Sequence, residues 1–123
     1  MQQDPIYILL ADDDEDDRDL FVDAFSEIKL KTEINVFNDG EQLMAYLNMI
    51  ENKLPQVLFL DLNMPKKNGM QCLKEIKENN RLKDIVICIY STSASDDDIE
   101  NTFVKGANVY IKKTSNFKHL KDI

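Results

Sequence analysis

The feature that most constrains this chain is an alternation between two kinds of apolar segment. Short runs rich in β-branched and aliphatic residues occur as IYILLA at 6–11, INVF at 34–37, VLFLD at 57–61, IVICIY at 85–90 and VYIK at 109–112. Between and after them, apolar residues recur every three or four positions. The stripes are Leu20, Phe21, Ala24, Phe25 and Ile28; Leu43, Met44, Leu47 and Ile50; and Met70, Leu73 and Ile76, with Asn80 continuing the spacing. Ile99, Phe103 and Ala107 form a weaker fourth, and Phe117 with Leu120 begins a fifth. Such spacing places side chains on one helix face. Five strands alternating with five helices imply parallel pairing through right-handed crossovers, hence a three-layer α/β sandwich.

The runs at 6–11, 57–61 and 85–90 are almost continuously apolar, as expected of central strands covered on both faces. The run at 34–37 is shorter and more polar, so we expect it at an edge. Asn38-Asp39-Gly40 reads as a turn, Leu54-Pro55 separates helix from strand, Gly69 lies at a loop-to-helix junction, and Gly106 caps the fourth helix. At 123 residues, one domain over 1–123 is expected.

Charge narrows the partners. The 23 acidic residues against 15 Lys and Arg give a formal charge of −8, which disfavours general binding to a nucleic-acid backbone and favours a bound cation or a basic partner. Cys72 and Cys88 sit in apolar segments without metal-ligand spacing and read as reduced, buried thiols. MQQDP at the N-terminus has no basic n-region, and the first apolar run is far shorter than the roughly 20 residues of a membrane span. We expect a soluble, cytoplasmic protein that binds neither membrane nor nucleic acid.

The strongest local feature is the acidic run Asp12-Asp13-Asp14-Glu15-Asp16-Asp17, directly after the first strand. Helix capping accounts for Asp14 to Asp17: Asp14 or Glu15 can accept N–H bonds at the start of a helix over 15–28, and early acids suit its dipole. Capping accounts less well for Asp12 and Asp13, at the carboxyl end of a buried strand. Asp61 ends the equally apolar VLFL. In an open parallel sheet these strand ends form the functional rim, so Asp12, Asp13 and Asp61 converge if the first and third strands are neighbours. Clustered carboxylates without His or thiolate suit a hard cation, Mg²⁺ first; the alternative is a solvated acidic patch. Ser91 follows the fourth strand on the same rim, and Lys112 or Lys113 follows the fifth. Carboxylate, divalent ion, hydroxyl and ammonium together fit phosphoryl transfer to an aspartate, with Asp61 as nucleophile. His119 has no companion that suggests a hydrolase, and the few glycines form no phosphate-cradling loop.

These segments resemble the receiver domain of two-component response regulators over nearly the whole length. The resemblance rests on ILLADDDEDDR at 8–18, VLFLDLNMPKKNG at 57–69, YSTS at 90–93 and KGANVYIKK at 105–113. Within that family the chain looks most like stand-alone receivers of the phytochrome-associated type. The resemblance implies a doubly wound, flavodoxin-like parallel sheet of order 2-1-3-4-5. It implies Asp61 as phosphoacceptor and Asp12 with Asp13 as the acidic pair. Mg²⁺ would be ligated by Asp13, Asp61 and the Asn63 backbone carbonyl, with Asp12 acting through water. It further implies Ser91 as the hydroxyl switch, Tyr110 as the aromatic switch and Lys113, rather than Lys112, as the active-site lysine. The donor would be a histidine kinase or histidine phosphotransfer protein. The output would be a protein–protein contact on the surface around the fourth helix, fifth strand and fifth helix, with a second copy of the chain as one alternative partner.

Three departures from the family pattern stand out. Thr114 replaces the usual proline after the lysine; a cis bond there would cost about 2.5–4 kcal/mol, so we expect Lys113–Thr114 to be trans. Thr92 is bulkier than the usual residue after the switch hydroxyl, and Tyr90 stands where an aliphatic residue is more common. Two other functions compete. A small Mg²⁺-dependent phosphotransferase or phosphatase would want a second aspartate two residues after the nucleophile, where this chain has Asn63. A degenerate receiver, acting only as a binding module, would have lost part of the acidic pair, Asp61 or Lys113, and all are retained. The expected role is therefore a switch that catalyses only its own phosphorylation and dephosphorylation.

Overall fold

The computed structural model describes residues 5–28, 31–91 and 96–113. Within them the chain runs β1 (Ile6–Ala11), α1 (Glu15–Ser26), β2 (Thr32–Phe37), α2 (Gly40–Asn48), β3 (Val57–Leu60), α3 (Gly69–Glu78), β4 (Val86–Ser91), α4 (Asp96–Val104) and β5 (Val109–Lys112). The strands form one parallel sheet of order β2-β1-β3-β4-β5, as the resemblance implies. The expected fifth helix, with Phe117, His119 and Leu120, lies outside the described residues.

Strand alternation explains why the central runs are apolar at every position. Leu9, Ala11, Leu58, Leu60, Ile87 and Ile89 face one side, where they pack with Leu43 and Leu47 of α2 and Leu73 and Ile76 of α3. Ile8, Leu10 and Tyr90 face the other and pack on Phe21 of α1, with Phe25 and Phe59 against them. Phe21 is the centre of that second cluster: its ring lies 4.7 Å from Phe25, 4.8 Å from Phe59 and 5.9 Å from Tyr90. Each such buried side chain contributes about 1.5–3 kcal/mol.

The helix starts follow from local side chains. Asp14 caps α1 through its carboxylate to the Asp16 and Asp17 N–H groups, so Glu15 is not the cap. Asp39 caps α2, which makes Gly40 the first helical residue rather than part of a free turn. Asn68 and Gln71 form a reciprocal capping box at α3. Gly106, at φ 109°, ends α4: its N–H donates to Phe103 O and the Ala107 N–H to Thr102 O, the paired bonds of a Schellman turn.

Several expected boundaries shift. The second strand starts at Thr32, because its polar residues pair with β1 as well as its apolar ones do. The third stops at Leu60 and the fourth includes Ser91. Ile28, Ile50, Asn80 and Ala107 fall beyond the helix ends, and the helix expected over 15–28 closes at Ser26. Leu20 and Phe103 are exposed despite their spacing, because a stripe wider than the available sheet surface leaves its margins in solvent; Ile50 is exposed because α2 has already ended.

Candidate functional site

Register brings the acidic residues together. Ala11 is paired with Leu60, so the next residues, Asp12 and Asp61, leave neighbouring strands side by side. The Asp61 N–H donates to Ala11 O and the Asp12 N–H to Phe37 O, which extends the sheet pattern one step and fixes both backbones. Both carboxylates are buried, at 0% and 5% exposure, whereas Asp13 is exposed. Arg18 holds the loop after β1 by donating Nη1 to Asp12 O at 2.8 Å. Around Asp61, the Asn63 N–H donates to Oδ1 at 3.3 Å, and the Gly69 N–H closes the loop onto Leu62 O.

On the other side, Ser91 is paired with Lys112, and the Lys113 N–H donates to Ser91 O at 2.8 Å. This decides between the two lysines: Lys112 is exposed, while the Lys113 side chain turns inward with 7% exposure. A half-buried residue at the rim thus carries a nearly inaccessible side chain. Its ammonium lies 2.6 Å from Asp12 Oδ2, 3.0 Å from Asp17 Oδ2 and 3.2 Å from Asp61 Oδ2, with the Tyr90 ring centre at 5.4 Å. Ser91 is fully buried beside this group, and Tyr110 is half-buried against the larger apolar cluster. Thr92 and Thr114, and with Thr114 the Lys113–Thr114 peptide, lie outside the described residues.

The electrostatics follow from burial. Desolvation raises the Asp12 carboxyl from 3.8 to about 6, against the pull of Lys113 and of the Asp14 N–H. Burial works against the charge on Lys113, but its close pairing with the Asp12 and Asp17 carboxylates outweighs that and raises it above the ordinary lysine value. Cys72 and Cys88 are buried, unbridged thiols pushed up to about 12 by desolvation, so neither is a nucleophile here.

Asp12, Asp13 and Asp61 each offer an oxygen, all within 4.8 Å of one another. Asp12 Oδ2 is buried and accepts no aligned hydrogen bond, even though Lys113 stands close. An all-oxygen donor set with an under-satisfied buried anion fits a hard divalent cation. The Asn63 carbonyl belongs to the same loop.

One participant escapes the capping argument. Asp17 is an acid of the first helical turn, as capping expects, but its carboxylate bonds to Lys113, 96 positions away. The signal lay in helical spacing: Asp17 precedes Phe21 by four and Ala24 by seven, so it extends the buried stripe of α1 towards the sheet rim.

The profile described as "Response regulator receiver domain" matches residues 8–123. The probable methanogenesis regulatory protein FilR2 of Methanothrix harundinacea is 34% identical over 122 residues, 97% of this chain and 79% of FilR2. Response regulator Rcp1 of Synechocystis sp. is 35% identical over 120 residues, 94% of this chain and 82% of Rcp1. The solved Mn²⁺-bound form of Rcp1 superposes with a TM-score of 0.90 at 32% identity, covering 97% of this chain and 91% of that one. The phosphorylated cyanobacterial phytochrome response regulator RcpA gives 0.89 at 33% identity, covering 97% and 88%.

Proposed function

The chain belongs to the response regulator receiver family, which serves phosphorelay signal transduction, and on that premise we propose that Asp61 is its phosphoacceptor. The observation that carries this reading is the placement of Asp61. Its carboxylate is held at the end of β3, buried, bonded on Oδ1 by Asn63 N–H and facing the Lys113 ammonium on Oδ2. A carboxylate oxygen attacks phosphorus in line, the P–N bond to a donor imidazole breaks, and the nitrogen keeps the electron pair. Lys113 neutralises charge on the transferred oxygens, and Ser91 supplies a hydroxyl to the product. The chain adds little covalent chemistry beyond the nucleophile; it contributes orientation and counter-charge.

A divalent cation, for which we propose Mg²⁺, would be held by Asp13, Asp61 and the Asn63 carbonyl, with Asp12 bound through water. When present it screens the transferred phosphoryl oxygens. The Mn²⁺-bound form of the related Rcp1 supports a divalent ion here. The donor is a histidine kinase or phosphotransfer protein, and the output is a protein contact near α4, β5 and the segment after it. We place one receiver domain over 1–123, acting in the cytoplasm; no helix among the described residues is long and apolar enough to cross a membrane.

Intact-mass measurement after treatment with acetyl phosphate or phosphoramidate tests the acceptor. Wild type with Mg²⁺ should gain a labile mass of about 80 Da, one phosphoryl group. Asp61→Asn should gain none, and no gain in wild type with either donor would sink the reading.

The cation is tested separately. Saturation to about 100 times the dissociation constant should stabilise wild type by about 2.7 kcal/mol through linkage, and Asp13→Asn should lose most of that gain. Because Asp12 holds a proton below pH about 6, apparent cation affinity should fall as pH drops through that value and level off above it. Calorimetric titration that finds wild type and Asp13→Asn alike would place the cation elsewhere.

A further inference from the structure

We propose that Asp17 is a positioning residue for Lys113, holding the ammonium in the resting state and surrendering it to the phosphoryl group on Asp61. The inference rests on the phosphoacceptor reading above and adds a competitor to it. An ammonium has three N–H donors. Asp12, Asp17 and Asp61 stand around Lys113 Nζ at 2.6, 3.0 and 3.2 Å, while the Tyr90 ring covers a further side. Three carboxylates therefore claim the lysine before any phosphoryl group arrives.

Lys113 donates to Asp17 and Asp61 and stands in an unaligned ion pair with Asp12. A new phosphoryl oxygen therefore competes with carboxylates already in place and gains most when one of them gives way. Asp12 is fully buried, so freeing its carboxylate from the lysine carries a large desolvation cost. Asp61 is the acceptor itself. Asp17 sits in the first turn of α1 with its side chain 32% exposed, so it alone can exchange the lysine for solvent at small desolvation cost. Asp17 slows phosphorylation, and it does so through Lys113.

Asp17→Asn keeps a side-chain acceptor but removes the charge. It should speed acyl-phosphate formation from acetyl phosphate about tenfold at fixed Mg²⁺ and ionic strength, the scale of one partly screened charge at this range. Asp16→Asn removes an equal charge from the same turn at an exposed position with no contact to Lys113, and should change the rate far less. In a Lys113→Ala background the Asp17 effect should largely vanish, since the two residues act as one unit. A second readout needs no chemistry at all. In metal-free protein the Lys113 ammonium protons, followed by ¹⁵N NMR, should exchange with water faster in Asp17→Asn than in wild type or Asp16→Asn.

Equal rates for Asp17→Asn and Asp16→Asn, slower labelling in Asp17→Asn, or an undiminished effect without Lys113 would each overturn the proposal. Unchanged ammonium exchange would do the same. A wild type that takes no label at all instead defeats the phosphoacceptor reading, and the exchange measurement still decides the Asp17–Lys113 pairing.

Discussion

Lys113→Ala should destabilise the metal-free protein by about 3–5 kcal/mol near neutral pH, because it strips the counter-charge from carboxylates that stay buried. Asp12 and Asp61 are 0% and 5% exposed, and Lys113 is the cation that faces both. The loss should depend on pH in a defined sense. Burial raises the folded Asp12 carboxyl from 3.8 to about 6, so between those values the folded chain holds a proton that the unfolded chain has released. Stability from this group is thus complete below pH about 4 and declines as pH rises towards 6. Without Lys113 the folded value rises further, and the decline continues above 6. Wild type and variant should therefore converge on acidification and diverge towards neutrality. Saturating Mg²⁺ should narrow the gap by supplying positive charge at the same carboxylates. Urea unfolding near pH 4 and near neutrality, with chelator and with Mg²⁺, reads all of this. A pH-independent loss of about 1 kcal/mol or less, the value of an exposed pair, would show that the carboxylates find other compensation. The same variant should lose most acyl-phosphate formation even where Mg²⁺ restores its stability.

Gly69→Ala should cost about 3 kcal/mol, the upper part of the usual range for an overpacked site. A methyl group at Gly69 would stand 2.2 Å from Asp61 O and 2.8 Å from Leu62 Cα, inside the loop that carries the acceptor. Both obstacles are backbone, so no side-chain rotation relieves them. The start of α3 must back away, breaking the Gly69 N–H bond to Leu62 O and shifting Asp61 and Asn63 with it. For a chain of this length the melting temperature should fall by about 10 °C, and labelling of the remaining folded protein should fall too. Gly106→Ala is the informative contrast. Its φ of 109° strains an alanine, and the added methyl group meets only the flexible Lys77 stem. It should cost roughly 1 kcal/mol and leave labelling intact. Equal stability losses, or normal labelling in Gly69→Ala, would show that the loop relaxes more freely than its packing suggests.

How much could be read beforehand varies residue by residue, for a physical reason. The strands and helices were legible because period-two and period-3.6 patterns are properties of neighbouring residues. The central place of β1, β3 and β4 was legible because burial on both faces leaves no polar position in the run. Asp12, Asp13 and Asp61 were legible as a group because strand ends in a parallel sheet share one rim. Leu20 and Phe103 were misleading, since spacing says which residues share a face but not how wide a surface the partner offers, and Ile50 because the spacing does not say where the helix stops.

By itself, then, the sequence determined the alternating α/β plan, the two-sided apolar core, the acidic strand-end cluster and, through the DLNMP segment and its companions, the family. Tertiary structure decided which charges meet. Spacing left Lys112 and Lys113 equivalent; the pairing of Ser91 with Lys112 turns Lys113 inward and leaves Lys112 in solvent. Asp17 looked like a helix-start acid until the packing of Phe21 onto the sheet swung that face of α1 over the lysine. Coulomb interactions at a few ångströms depend on inter-strand register and helix rotation. Both are set by contacts between residues remote in the chain, which no local pattern encodes.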